Sequence, residues 1–291
     1  MPREVTISAC QYHVREINGF EDMEARVRTL LDQAAGSDIV VFPELFTIEL
    51  FTTLKDWKNR LISELVLIDE FTKDYISLFK DEAKKRGQFI AAGSHLVKVS
   101  DDRFENIAYL FGPDSERFEH AKTHIFPAEA NWSTSEGSKM ETFQLPFAKV
   151  GFNVCYETEI PECSAALVEQ GAEIILTPSA TFTEQGFWRV RHCAQSRCIE
   201  NQIYLVHCCL GGQPGGPLPN GWAKSSVLGP CDLAWANAAG IIAEAPANVE
   251  TTVTGTVNLD LLYENRASGA ATTFKDRRRR ADLYRAWPSH L

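Results

Sequence analysis

Positive charge is in short supply in this chain: its 291 residues carry 29 Lys and Arg against 39 Asp and Glu, a formal charge of −10 at pH 7. That balance excludes the broad basic footprint of a nucleic-acid or anionic-membrane binder. The one basic run, Arg277 to Arg280, has acidic surroundings and no interleaved aromatics, so it reads as a solvated tail or an interface contact. Long apolar runs are missing as well. No uninterrupted stretch reaches the roughly 20 residues of a membrane span, and MPREVTISAC lacks the apolar region of a secretory signal. A cytoplasmic protein with reduced thiols is therefore expected, which covers Cys10, Cys155, Cys163, Cys193, Cys198, Cys208, Cys209 and Cys231.

Paired C-x-x-C motifs are absent, and with them the spacing of a structural zinc site; no metal and no cofactor is expected. His192, Cys193, Cys198 and His207 form only a loose grouping. Cys208 and Cys209 continue the apolar run IYLVHCC, for which core packing is explanation enough. The segment LGGQPGGPLPNG lacks the G-x-x-x-x-G-K-[ST] order, and its three prolines remove N–H donors that would cradle phosphate. It reads as a surface loop near the site.

What is present is an alternation of short β-rich runs with helical stripes, the signature of an α/β layered domain. VTISACQY reads as a first strand. Met23, Val27, Leu30 and Leu31 give Glu21 to Ala34 a helical stripe, and DIVVF follows as a buried strand. A second helix is expected over Ile68 to Lys85 with Gly87 as its cap, then the strand QFIAAGSHL. Two strands are expected around Gly112-Pro113-Asp114. The run FAKVGFNVC is read as a strand ending at Cys155, followed by a helix begun by Pro161 and the buried strand EIILTP. Phe187 to Asn201 reads as a further helix. With no linker-like composition shift and no internal repeat, the chain is taken as one domain over residues 1–291, with 265–291 as a C-terminal extension expected to contact a partner subunit.

Glu44, Lys122 and Cys155 each stand just past a predicted apolar strand, where layered α/β folds present site residues. A thiolate is a strong nucleophile, a carboxylate can take its proton or activate water, and an ammonium can stabilise an oxyanion. Singly, each residue has an ordinary structural explanation: a surface cap, a solvated loop charge, a core thiol.

The surrounding words change that balance. VVFPELF around Glu44, HAKTHIFPAE around Lys122 and VGFNVCYETEIPE around Cys155 occur in this order, and together they resemble the nitrilase, or carbon–nitrogen hydrolase, superfamily. The resemblance spans nearly the whole chain, to FKDRRRRADLY. It implies a four-layer α-β-β-α sandwich and assembly into a homodimer or higher homo-oligomer. It also implies a catalytic triad of Glu44, Lys122 and Cys155, with Glu129 as the family's second glutamate and the backbone N–H of Tyr156 as an oxyanion donor. SRCIENQIYLV, with Arg197, Glu200 and Asn201, is similar to a family helix and is assigned to structural support. The words CQYHVREINGFED and VVFPELFT resemble a bacterial subgroup sometimes fused to an N-acetyltransferase domain.

Where the family usually has Asp two residues after the nucleophile, this chain has Glu157. The implied activity is hydrolysis of a small amide or carbamoyl-amine through a cysteine thioester, the alternatives being a nitrile-hydrolysing enzyme, a Cys–His thiol hydrolase and a catalytically silent binding protein. Glu157, Thr158 and Glu159 are candidate substrate contacts. The acidity of Glu157 and Glu159 leads to the expectation that an anionic acyl chain is repelled and a neutral or amine-bearing substrate accepted.

Overall fold

The computed structural model describes residues 3–132 and 134–284. Its sheet strands are β1 (Glu4–Val14), β2 (Ile39–Val41), β3 (Phe89–Ser100), β4 (Arg103–Phe111), β5 (Arg117–Ala121), β6 (Thr134–Ser135), β7 (Thr142–Gln144), β8 (Lys149–Phe152), β9 (Ile174–Ser179), β10 (Tyr204–Gly212), β11 (Ser226–Leu228), β12 (Ile241–Glu244) and β13 (Thr251–Asn258). Strand β1 is shared. Its N-terminal part pairs with β13 and β2, continuing through β3 and β4 to β5, whereas Tyr12 to Val14 pair with β10, which leads through β9 and β8 to β7 and carries β11 and β12.

The period-2 alternation of the strands builds the layers. Ile7, Ala9, Ile39 and Val41 from one half meet Val150, Phe152, Ile174, Leu176 and Val206 from the other in a core between the sheets. The intervening residues face outward. Val40, Phe42 and Ile90 pack under α1 (Phe20–Gln33) and α2 (Thr72–Arg86), while Ile175 and Leu205 pack under α3 (Pro161–Glu169) and α4 (Glu184–Asn201). The result is the α-β-β-α sandwich.

The helices form where their stripes allow. Met23, Val27, Leu30 and Leu31 are the buried face of α1. Gly87 caps α2 in the left-handed region at φ +67. Helix α2 starts at Thr72, later than expected from periodicity, because residues Ile62–Phe71 wind as a 3-10 helix. Asp69 fixes that boundary by accepting from Thr72 Oγ1 at 3.0 Å and from the Lys98 N–H at 2.8 Å.

Helices α5 (Leu259–Ser268), α6 (Thr273–Arg279) and α7 (Ala281–Tyr284) carry the described part of the C-terminal extension; residues 285–291 lie outside the described residues. This part docks on its own chain. Thr273 Oγ1 donates to the Ile199 carbonyl, Arg277 donates to Asn201, and Arg278 pairs with Glu169 while stacking 3.7 Å over Phe274. The arginine run is therefore tied to α3 and α4 as well as to its own helix, and is not a free basic tail.

Candidate active site

Glu44 follows β2 and is held from several sides. Phe42 and Phe46 flank it in sequence and pack edge-on against Phe79, with ring centroids 5.2 and 6.0 Å away. Such contacts add about 0.5–1.5 kcal/mol each beyond burial. Leu45 adopts φ +48, and its N–H donates to Ser94 Oγ at 3.1 Å. Close approach of β3 requires Gly93, at φ +69, because a Cβ there would lie 2.1 Å from the Pro43 carbonyl oxygen. The strained Leu45 backbone turns Glu44 into the interior.

Lys122 emerges at the end of β5 and is almost wholly buried. Its Nζ donates to Glu44 Oε1 at 2.8 Å and to Glu129 Oε2. Asn106 on β4 completes the cluster, its Nδ2 donating to Glu44 at 3.0 Å and Glu129 at 3.1 Å. The Phe126 N–H donates to Glu129 at 3.0 Å, and the Ala180 N–H, just past β9, donates to Glu44 Oε2 at 2.9 Å.

Cys155 does not end a strand, as periodicity suggested. Strand β8 stops at Phe152, and Cys155, at φ +47, opens a 3-10 turn over Cys155–Glu159. A left-handed non-glycine residue projects its side chain out of the strand's line. The Sγ–H donates to the Ala180 carbonyl at 3.8 Å, so Ala180 touches both thiol and carboxylate. Tyr156 is next in the turn, where N–H groups lack intrahelical acceptors.

Glu44, Lys122, Glu129, Cys155 and Tyr156 thus line one pocket of about 190 Å³. Phe126, Trp132 and Phe182 form its aromatic wall. No histidine lines it among the described residues, so the pocket offers a carboxylate and not an imidazole as the partner of the thiol.

Lys122 stands between the two carboxyl groups. Burial raises the Glu44 carboxyl above the ordinary 4.5; Lys122 opposes the rise and Glu129 adds to it. For Lys122, burial alone would lower the ammonium, but Glu129 and Glu44 outweigh it and keep it charged. Burial and then the Glu44 charge push the Cys155 thiol well above its usual 9.0. Lys122 opposes that rise, but its charge is already shared by Glu44 and Glu129.

Two of the three candidate substrate contacts lie outside the pocket. Glu157 is buried, accepting from the Val154 N–H at 2.6 Å, from the Thr123 N–H and hydroxyl at 2.7 Å each, and from His120 Nε2 at 2.9 Å. Thr158 is buried against Asn153 and Thr177. Glu159 does line the pocket, but Arg189 on α4 engages both its carboxylate oxygens. The expected repulsion of anions loses its basis, since one of the two charges is internal and the other is matched.

Sequence reasoning missed Asn106 and Arg189. Asn106 left a signal, as the polar residue inside the apolar strand ENIAYLF. Arg189 left none, because its partner is thirty positions away. Arg197 donates to the carbonyls of Thr158 and Glu159, holding the turn after Cys155 against α4.

With this fold and site, the chain is a member of the carbon–nitrogen hydrolase family, whose family model matches residues 6–267. Among relatives, it is 38% identical to the probable hydrolase YhcX of Bacillus subtilis strain 168 over 289 residues, 96% of this chain and 54% of that protein. The chain therefore spans about half the length of that relative. It is 25% identical to the omega-amidase NIT2 of Danio rerio over 290 residues, covering 96% of this chain and 95% of the relative. A crystal structure of a carbon–nitrogen hydrolase from Helicobacter pylori G27 superposes with a TM-score of 0.77 at 19% identity, covering 97% of each chain, and shares the fold. No helix among the described residues is long and apolar enough to cross a membrane.

Proposed function

We propose that this carbon–nitrogen hydrolase is an amidase that cleaves a small amide through a Cys155 thioester. One observation carries the reading: a buried thiol, a lysine and two carboxylates, delivered from the ends of four separate chain segments, meet in a pocket of small-molecule size. Buried charge clusters of this kind are costly to maintain and concentrate at sites of chemistry.

Glu44 takes the Cys155 proton as Sγ attacks the amide carbonyl carbon, so thiolate forms only as it is consumed. The Lys122 ammonium and the Tyr156 N–H receive the oxyanion. Collapse of the tetrahedral adduct breaks the C–N bond, the proton on Glu44 passes to the leaving nitrogen, and ammonia or an amine departs. Water then loses a proton to Glu44 and attacks the thioester, and that proton returns to sulfur as the acid leaves. Glu129 and Asn106 hold Lys122 and Glu44 in register throughout.

The test is a screen of small amides, carbamoyl-amines and nitriles read by released ammonia. Cys155→Ala, Glu44→Gln and Lys122→Ala each abolish turnover, and a double variant resembles the worst single one because the residues act as a unit. Turnover by Cys155→Ala would sink the mechanism, and turnover of nitriles alone would replace the amide reading. The chain works as a homodimer or larger homo-oligomer in this proposal; a stable 32.5 kDa particle in light scattering would count against that part.

A further inference from the structure

A hydroxyl stands beside the nucleophile with no part in the proton transfers. Ser179 is the last residue of β9, paired in register with the buried Cys209 of β10, and is itself 1% exposed. Its Oγ is buried and has no hydrogen-bond partner among the described residues. The next residue, Ala180, holds both base and thiol: its N–H donates to Glu44 at 2.9 Å, and its carbonyl accepts from the Cys155 Sγ–H at 3.8 Å. Burial and the Glu44 carboxylate disfavour negative charge on that sulfur, whereas Lys122 and then the Ser179 side chain, within bonding reach of it, favour the charge.

A buried hydroxyl without a partner is costly to keep, and such orphans in native proteins have a structural or chemical reason. The Ser179 O–H turns about its Cβ–Oγ bond to suit an acceptor. While Sγ carries its proton, that proton points to the Ala180 carbonyl, and neutral sulfur is only a weak acceptor. Once Glu44 takes the proton, the sulfur becomes a charged acceptor beside a donor that has nothing else to bind. The bond is gained as charge develops and is absent before, which is the condition for lowering a barrier.

We infer that Ser179 is a further catalytic residue, whose O–H donates to the Cys155 sulfur whenever that atom carries negative charge. This rests on the amidase reading and deepens it. During acylation the Sγ proton goes to Glu44 and Ser179 meets the growing charge; as the C–S bond forms, the charge passes to the carbonyl oxygen held by Lys122 and the Tyr156 N–H. During deacylation the C–S bond breaks, its electron pair returns to sulfur, and Ser179 meets the charge again until Glu44 gives back a proton. Lys122 and Tyr156 serve the oxygen, and Ser179 serves the sulfur.

The experiment compares wild type with Ser179→Ala, which removes only the oxygen. For an amide found in the ammonia screen, kcat is expected to fall by about tenfold or more at nearly unchanged KM, the scale of a hydrogen bond to a charged group made only during reaction. Alkylation of Cys155 by chloroacetamide at pH 8, followed by peptide mapping, reads the sulfur without turnover. A roughly tenfold smaller thiolate fraction, partly offset by higher intrinsic nucleophilicity, is expected to slow it about threefold. A kcat or an alkylation rate at the wild-type level, as a serine that only fills space would give, overturns the inference. Should wild type turn over no amide, the amidase reading fails separately, and the alkylation rate alone decides the role of Ser179. Should Ser179→Ala not fold, Ser179→Gly, which also lacks the hydroxyl, takes its place in both measurements.

Discussion

Replacing Glu157 with Gln removes half of a buried acceptor that ties the segments of Lys122 and Cys155 together. One carboxylate oxygen accepts from Val154, next to Cys155; the other accepts from the N–H and hydroxyl of Thr123, next to Lys122; both meet His120. Gln turns one of these oxygens into a donor that faces at least one backbone N–H, an unmet group costing about 1–3 kcal/mol. With the lost charge, the total is about 3–5 kcal/mol, since hydrogen bonds to a charged acceptor are worth about 1.5–3 kcal/mol. Against a typical stability of about 5–15 kcal/mol, that is a large fraction. Urea unfolding at pH 7 reads it as a lower midpoint at unchanged slope. Glu157→Asp falls between the two, since losing a methylene draws the carboxylate back by about 1.5 Å, and it cannot reach both Val154 and Thr123.

The pH dependence supplies an internal check. Burial alone would raise the Glu157 carboxyl, but His120 and Thr123 outweigh it and hold it below the ordinary 4.5. A carboxylate with a depressed folded value stabilises fully above its unfolded value, and that contribution fades as pH falls from about 4.5 through the folded value. The gap between wild type and Glu157→Gln must therefore narrow in that acidic window. A gap below about 1 kcal/mol at pH 7, or one that stays constant on acidification, refutes the assigned role.

Asn106→Ala takes a hydrogen bond from each of Glu44 and Glu129 and is expected to lower kcat by about 10- to 100-fold with an unchanged circular-dichroism spectrum, the scale of a bond to a charged group; full activity would remove Asn106 from the site. Because the Glu44 carboxyl is raised, it protonates and ceases to act as a base at a higher pH than an ordinary glutamate. The acid limb of kcat/KM should fall above 4.5, and a limb at or below 4.5 would contradict this. Native protein treated with limiting chloroacetamide should carry label on Cys155 and none on Cys10, Cys198, Cys208 or Cys209, which are sealed in the core. Peptide mapping that finds one of those four labelled before Cys155 speaks against the assignment.

Layering, strand order along the chain and the segments bearing Glu44, Lys122, Glu129 and Cys155 were legible in the sequence because they rest on local quantities. Period-2 and period-3.6 burial, a glycine cap and strand-end polar residues all report on a few neighbouring positions. Local patterns misplaced the start of α2 and the end of β8, where Asp69 reaches across to Lys98 and where Cys155 takes a left-handed backbone. Only the tertiary structure decided which charges face one another in and around the pocket. Whether Lys122 activates the thiol depends on how many carboxylates share its ammonium, and whether Glu157 or Glu159 meets a ligand depends on Thr123, His120 and Arg189, residues of other elements. Electrostatics is a sum over spatial neighbours, and folding brings those neighbours together from positions that a linear pattern cannot pair.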